Sequence, residues 1–381
     1  MEFKEYRFDE VTINFDKKRV PISGAQRKKR QGKYRYYGAQ GIIDYIDDFI
    51  FDGTYLLIAE DGENLKSQKQ KIAQVVDGQF WVNNHAHIVQ GNELCDTRYL
   101  CYLLNSMDLS GYITGSAQPK LSQANLNSLI LHLPSIREQR TIVEYLYMFD
   151  KKISVNQQIN DNLYTQMRTL TKQWVIENAS DYELLPLAKI ASINPDTYSP
   201  KEEWEYVNYL DTSSITDGYI AEIQHITPST EKLPSRARRK IALNDVVFST
   251  VRPNQRHFGI LSEPMSNMLG STGFAVIRSN NPLVCNELIY LCLTENEFIE
   301  KMQQLAEQST STFPSIKPSD LGVCEIPCPK DDASKSFFEM LKSMFALIAK
   351  NQRENISLAT TRDTLLPKLM SGELDVTSIQ L

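Results

Sequence analysis

The sequence predicts an α+β fold built twice within one chain. Two domains of mixed strands and short helices are each followed by a long helix, and the two long helices form an antiparallel coiled coil with pseudo-twofold symmetry. Three observations lead there. The chain echoes itself at about half its 381 residues: Tyr55-Leu56-Leu57-Ile58 corresponds to Val246-Val247-Phe248, and His85-Ala86-His87-Ile88-Val89 to Gly273-Phe274-Ala275-Val276-Ile277. Each copy carries short apolar runs separated by turn signals such as Asp52-Gly53 and Asp61-Gly62, the pattern of strands rather than of long helices. Each copy then passes a proline, Pro134 or Pro327, into a stretch with heptad spacing that contains Met148-Phe149 or Met344-Phe345.

In chain order, residues 1–134 form the first domain. Within it Thr97 to Met107 reads as an amphipathic helix capped by Asp96, with Leu100, Leu103 and Leu104 on its inner face. Ser135 and Glu138 supply a capping box that starts a long helix over 135–178. Its seam runs Ile142, Leu146, Phe149, Ile153, then Leu163, Met167, Leu170 and Trp174, with Asn156 and Asn160 in the two layers between. Residues 179–333 repeat the first domain, with a helix expected from about Asn286 to Leu305. The C-terminal helix, 334–370, presents Phe338, Leu341, Phe345 and Ile348, then Gln352, Asn355 and Ala359, then Leu366 and Leu369; a tail covers 371–381. Both seams are apolar at the ends and polar in the middle. Antiparallel pairing therefore sets Asn156 and Asn160 opposite Gln352 and Asn355, Ile142 near Leu369, and Leu170 near Leu341. A buried amide layer of this kind fixes register at some cost in stability.

Composition bounds the function. A hydrophobic content of 41% and a charged content of 23% are those of a globular protein. No uninterrupted apolar run is long enough to span a bilayer, and the N-terminus lacks the basic and apolar regions of a signal peptide, which points to the cytoplasm. Cys95, Cys101, Cys285, Cys292, Cys324 and Cys328 include no CxxC pair and read as reduced, packed thiols. The net charge of −6 conceals a patterned distribution. Residues 1–40 carry eleven basic and five acidic side chains, whereas 41–64 hold seven acidic and no basic ones. The stretch 232–257 has Lys232, Arg236, Arg238, Arg239, Lys240, Arg252 and Arg256 against Asp245 alone. Each half thus has one basic patch on an acidic body. Phosphate binding needs local positive potential rather than a basic protein, although solvated loops would also look like this.

Three stretches resemble a known family. Leu365-Leu366-Pro367-Lys368-Leu369-Met370-Ser371-Gly372-Glu373-Leu374 resembles the closing motif of type I restriction-modification specificity subunits. Leu133-Pro134-Ser135-Ile136-Arg137-Glu138-Gln139-Arg140-Thr141-Ile142 is similar to the start of that family's first long helix. The stretches Tyr34–Tyr45 and Phe51–Gly62 look like a frequent form of its first target-recognition domain. The resemblance covers nearly the whole chain. It implies a subunit that binds double-stranded DNA and performs no chemistry, with two target-recognition domains that each read half of a bipartite, asymmetric site. The two long helices would set the gap and dock two methyltransferase subunits, and through them the motor-endonuclease subunits. S-adenosylmethionine, ATP and Mg²⁺ would belong to those partners. The cell would be bacterial or archaeal.

The residues are compatible with a non-catalytic reading. An adenine methyltransferase needs a glycine-rich cofactor loop and an Asp/Asn-Pro-Pro-aromatic loop; Asn194-Pro195-Asp196-Thr197 has one proline and no aromatic, and no GxGxxG occurs. Asp196, Glu202 and Glu203 suggest a nuclease carboxylate cluster, but no Glu-x-Lys follows; a P-loop is also absent. His85 and His87 could form a metal pair on a strand, but no third ligand has suitable spacing, so they read as structural; Cys324 and Cys328 read as packed thiols.

For base readout, Arg pairs bidentately with guanine and Asn or Gln with adenine. The candidates in the first half are Arg27, Lys28, Lys29, Arg30, Lys33, Tyr34 and Arg35, with Gln118 and Lys120 on the repeated loop Thr114–Leu121, whose counterpart is Ser309–Ile316. In the second half they are Arg236, Arg238, Arg239, Lys240, Arg252, Asn254, Gln255, Arg256 and His257, with Arg252-Pro253-Asn254-Gln255-Arg256 the most concentrated string. Any one of them could instead contact phosphate. Two rival readings stay open: a coiled-coil scaffold whose domains bind protein, and an orphan or decoy DNA-binding homologue.

Overall fold

The computed structural model describes residues 1–67, 70–115, 118–308 and 313–376. Ser116, Ala117 and Ser309–Thr312 of the repeated loops, and 377–381 of the tail, lie outside the described residues. The chain packs into two units. One comprises 1–154 with 355–381, the other 155–354, so each long helix contributes to both.

The first unit holds strands β1 (Lys4–Arg7), β2 (Thr12–Asn14), β3 (Gln31–Gly38), β4 (Gly41–Ile46), β5 (Phe51–Asp52), β6 (Tyr55–Ala59), β7 (Ala73–Val76), β8 (Gln79–Val82), β9 (Ala86–Gly91) and β10 (Ile130–Leu133). They form an antiparallel sheet β2-β9-β6-β7, a mixed sheet β4-β3-β8-β5 in which β3 and β8 are parallel, and the pair β1-β10. Alternation along β6 explains its unbroken apolar run. Leu56 and Ile58 face a core with Tyr99, Leu100, Leu103 and Leu104, whereas Leu57 faces Phe51, Phe80 and Val82 of the second sheet. A strand covered on both faces has no reason to carry polar residues. The helix Thr97–Ser106 starts as its sequence implies, with the Asp96 carboxylate accepting from the Arg98 and Tyr99 amides.

The second unit repeats this plan. Its strands are β11 (Tyr182–Pro186), β12 (Ala191–Ile193), β13 (Val207–Leu210), β14 (Ile215–Thr216), β15 (Tyr219–Ile220), β16 (Gln224–Ile226), β17 (Ala237–Lys240), β18 (Asp245–Ser249), β19 (Phe258–Leu261), β20 (Met268–Ser271), β21 (Phe274–Ser279) and β22 (Glu325–Pro329). The orders β12-β21-β18-β19, β16-β13-β20-β17 and β11-β22 match those of the first unit strand for strand, and β13 and β20 make the parallel pair. The β14–β15 hairpin has no counterpart: β13 reaches β16 through it, whereas β3 turns directly into β4. The helix expected over Asn286–Leu305 is two helices, Asn286–Leu293 and Asn296–Glu307. The break falls at Thr294 and Glu295, where the backbone turns from helical to extended, and Arg168 takes the freed Thr294 carbonyl at 2.8 Å.

The long helices run Ile136–Glu177 and Lys335–Met370. The Ser135 amide donates to the Glu138 carboxylate at 2.9 Å and the Glu138 amide to the Ser135 hydroxyl, which makes the capping box. In the first unit Ile142, Val143 and Leu146 share a core with Leu369 and Met370. In the second unit Met167 and Trp174 share one with Phe338, Leu341, Phe345 and Ile348. Trp174 stacks on Phe337, with ring centroids 5.3 Å apart, and donates to the Ser334 hydroxyl. The early part of one helix meets the late part of the other in both places, which is the antiparallel sense.

The polar centre differs in detail from the heptad expectation. Asn160 accepts from Asn351, not from Gln352, at 2.8 Å, and Asn156 donates to Glu354 at 2.8 Å. Gln352 instead donates to the Gly218 carbonyl at 3.2 Å. Similarly, Thr171 rather than Leu170 is the buried position between Met167 and Trp174. Both shifts have one cause: a straight helix turns once in roughly 3.6 residues, so a strict heptad drifts off the contact line within a few turns.

Because the Asn160 and Asn351 side chains are buried together, replacing one alone strands the other. We expect Asn160→Leu to cost about 1–3 kcal/mol, and Asn160→Leu with Asn351→Leu to recover most of it. Urea denaturation of the single and double variants checks this; equal losses in both would show that the amide pair is not what matters.

Candidate nucleic-acid interface

The two units present the same local construction where β6 and β18 end. In the first, the Leu121 amide donates to the Glu60 carbonyl at 2.8 Å and the Gly62 amide to the Pro119 carbonyl at 3.1 Å. In the second, Ile316 donates to Thr250 at 2.9 Å and Arg252 to Pro314 at 2.9 Å. Isolated bridges Asp61–Lys120 and Val251–Ser315 complete the match. Each repeated loop is thus pinned to the turn that leaves its central strand, and Arg252 occupies the position of Gly62.

That replacement is conformationally unfavourable. Gly62 has a φ of +115°, which glycine adopts freely, whereas Arg252 is held at +48° and Arg256 at +58°. A non-glycine residue there costs on the order of 1 kcal/mol, and such strain gathers at functional positions. The intervening Pro253–Gln255 is one short 3₁₀ turn. Asn254 and Gln255 are exposed, and Arg252 lies 5.0 Å over the Phe313 ring of the repeated loop. Arg256 is engaged within the unit: its Nε donates to Asp217 at 2.6 Å and its Nη1 to Asn296 at 3.0 Å. His257 Nδ1 donates to the Ile215 carbonyl at 2.7 Å.

The basic residues of β17 divide similarly. Arg236 is exposed, Arg238 donates to the Ser235 carbonyl, and Lys240 pairs with Glu202 at 2.5 Å above the Trp204 ring. Burial lowers the pKa of Arg239, whose Nε has no hydrogen-bond partner among the described residues. A bulge between Ala237 and Arg239 sets the directions of these side chains along the sheet edge.

In the first unit much of the expected basic patch is used to build the fold. Arg27 pairs with Asp44 at 2.9 Å, donates to the Ile22 carbonyl and covers Tyr36. Arg30 pairs with Asp47 at 2.8 Å over Trp81, and Arg35 donates to the Asp77 carbonyl beside Tyr37. These acids come from the run after residue 40 that looked like a separate acidic stretch. Lys28, Lys29 and Lys33 are exposed, Tyr34 packs on Phe49, and Gln118 and Lys120 are exposed on the loop.

A buried charge network anchors that loop. His87 Nδ1 lies 2.6 Å from Asp16 Oδ2 and Nε2 2.8 Å from the Leu121 carbonyl. Both partners are acceptors, so both ring nitrogens donate and the imidazole is protonated. Burial alone would lower its pKa, but the Asp16 and Leu121 bonds outweigh it and hold the pKa above the usual value. Burial likewise opposes the ionisation of Asp16, yet its bond to His87 keeps that carboxyl below its ordinary value. Glu60 joins through Arg19 at 2.7 Å and Lys120 at 3.2 Å. His85 is exposed and paired with Asp61 at 2.8 Å, so the two histidines serve different partners. Among the described residues no cluster of His, Cys, Asp or Glu could hold a metal, and no helix is long and apolar enough to cross a membrane. The cysteines are unpaired, and burial pushes Cys95, Cys285 and Cys292 up to about 12.

Residues 1–165 match the family model of the Type I restriction modification DNA specificity domain. A putative type I restriction enzyme specificity subunit of Haemophilus influenzae is 34% identical over 138 residues, 36% of this chain and 35% of that protein. The MjaIX type I specificity subunit of Methanocaldococcus jannaschii is 25% identical over 311 residues, covering 74% of this chain and 69% of its own. The crystal structure of a type I restriction-modification S subunit from M. genitalium shares the fold, with a TM-score of 0.59 at 16% identity and coverage of 97% and 96% of the two chains. The chain is thus similar to the DNA specificity domain over its first 165 residues and, at lower identity, to type I restriction-modification specificity subunits over most of its length. The Haemophilus match spans about a third of that relative.

The His87 network predicts a pH dependence. A pKa raised by folding contributes stability that is complete below the unfolded value of about 6.5 and is lost as pH rises through the folded value. The depressed Asp16 pKa contributes above about 3.9 and is lost as pH falls through its folded value. The stability gap between the wild type and His87→Gln should therefore narrow as pH rises from about 6.5 through the neutral and alkaline range. Urea midpoints across that range check it, and a constant gap would remove the protonated imidazole.

Proposed function

We propose that this chain is the non-catalytic DNA-recognition subunit of a type I restriction-modification complex. Each unit reads one half of a bipartite, asymmetric DNA target. The two long helices, each shared by both units, set the unread gap and dock two methyltransferase subunits, and through them the motor-endonuclease subunits. S-adenosylmethionine serves the methyltransferase, and ATP and Mg²⁺ the motor. The observation that carries this reading is the repeated turn-and-loop construction, in which the same backbone bonds pin a loop to the turn at the end of the central strand in both units, with a basic residue on the loop in one (Lys120) and on the turn in the other (Arg252).

The chemistry of recognition then divides by residue. Exposed Lys28, Lys29, Lys33, Lys120 and Arg236 supply positive potential for phosphate, which positions the duplex without reading it. Arg252, Asn254 and Gln255 supply the side chains that form bidentate pairs with guanine and adenine.

Three measurements test this. Binding of duplex DNA by the complex with its methyltransferase partner should weaken linearly in log–log form as salt rises. Arg252→Ala should cost about 1–3 kcal/mol, confined to one half-site. Methylation mapping in the host should show a bipartite N6-methyladenine motif that disappears when the gene is deleted. Salt-independent association with a protein and no such motif would favour the scaffold reading instead.

A further inference from the structure

Resting on the DNA-reading role of the second unit, we propose that Arg256 is a positioning residue. It clamps the Arg252–Gln255 turn to the β14–β15 hairpin, and Gln352 seats that hairpin on the C-terminal long helix. The hairpin has no counterpart in the first unit. Its tip, Asp217-Gly218, has φ values of +48° and +80°, the two-residue type I′ turn that Asp-Gly favours.

One side of the tip faces the helices. Gln352 donates to the Gly218 carbonyl at 3.2 Å, and a Cβ on Gly218, already strained at a φ of +80°, would press on the Tyr164 hydroxyl at 2.8 Å. The other side holds the reading turn through four bonds. Arg256 Nε donates to Asp217 at 2.6 Å and the Asp217 amide to the Arg256 carbonyl at 2.9 Å. The Gly218 amide donates to the Phe258 carbonyl at 2.8 Å, and His257 Nδ1 to Ile215 at 2.7 Å. Asn296 takes a second nitrogen of the Arg256 guanidinium at 3.0 Å. With two of its donors engaged inside the unit, Arg256 holds the short 3₁₀ turn Pro253–Gln255 between the left-handed residues Arg252 and Arg256. Arg252, Asn254 and Gln255 are left to meet the bases.

The test uses the full chain bound to its methyltransferase partner, a randomised duplex DNA pool, and the variants Arg256→Ala, Asp217→Ala, Gln352→Leu and Arg256→Ala with Asp217→Ala. Positioning predicts that Arg256→Ala and Asp217→Ala flatten base preference at the same positions of one half-site by roughly ten-fold. The double variant loses no more than either single one, the salt slope stays that of the wild type, and Gln352→Leu gives a smaller loss at the same positions. If Arg256→Ala flattens preference and Asp217→Ala does not, Arg256 reads a base itself and the proposal fails. If Arg256→Ala weakens all sequences evenly and lowers the salt slope, it contacts phosphate, and the proposal also fails. Hydrogen exchange of the free chain decides the point without DNA: amides of Gln255, Arg256 and Phe258 should exchange faster in Asp217→Ala and Gln352→Leu, and unchanged exchange overturns the clamp. A wild-type chain that selects no sequence would defeat the DNA reading, while the exchange result would still decide the positioning role.

Discussion

Antiparallel pairing of the two long helices is the constraint on which both cores depend. Neither unit closes its apolar layer from its own strands and short helices. Ile142 and Leu146 with Leu369 and Met370 finish the first, and Met167 and Trp174 with Phe338, Leu341 and Phe345 finish the second. At the middle of the seam dispersion gives way to hydrogen bonding. Asn160 and Asn351 are buried and joined by a hydrogen bond, an arrangement that tolerates little sliding because a shift of one turn would break it.

The repetition of the fold is more complete than the repetition of the sequence. Strand order, the parallel pair and the pinned loop all recur, while the residues filling them differ. Gly62 and Arg252 show how this works. The backbone position is retained by the same hydrogen bond from its amide, and the side chain changes from none to a guanidinium. A shared frame lets each unit carry its own surface, as two readers of different half-sites would require.

Much of this was legible in the sequence, because it rests on local rules. The strand echo, the Asp96 cap, the Ser135–Glu138 box and the antiparallel sense of the helices follow from periodicity and capping. What escaped depends on tertiary pairing. The sequence groups Arg27, Arg30 and Arg35 in one basic cluster, but it does not show that Asp44, Asp47 and the Asp77 carbonyl hold them. Asn351 and Glu354 were missed because a heptad count assigns partners at a period of about 3.5, whereas these helices choose them nearer 3.6. Asp217 was within reach, since Asp217-Gly218 between short apolar runs is a hairpin signal, but nothing local connects it to Arg256. Nor does anything local connect the Thr294 carbonyl to Arg168.

The division of the long helices has a consequence for how the chain is made. The second unit is one continuous stretch, 155–354, and can assemble as soon as it leaves the ribosome. Most of the first unit precedes the second in the chain, yet its core includes Leu369, Met370 and Val376. Its earliest residues must therefore wait, with part of their apolar surface uncovered, until about two hundred intervening residues have been synthesised. The unit that emerges first during synthesis is thus the one whose core is completed last.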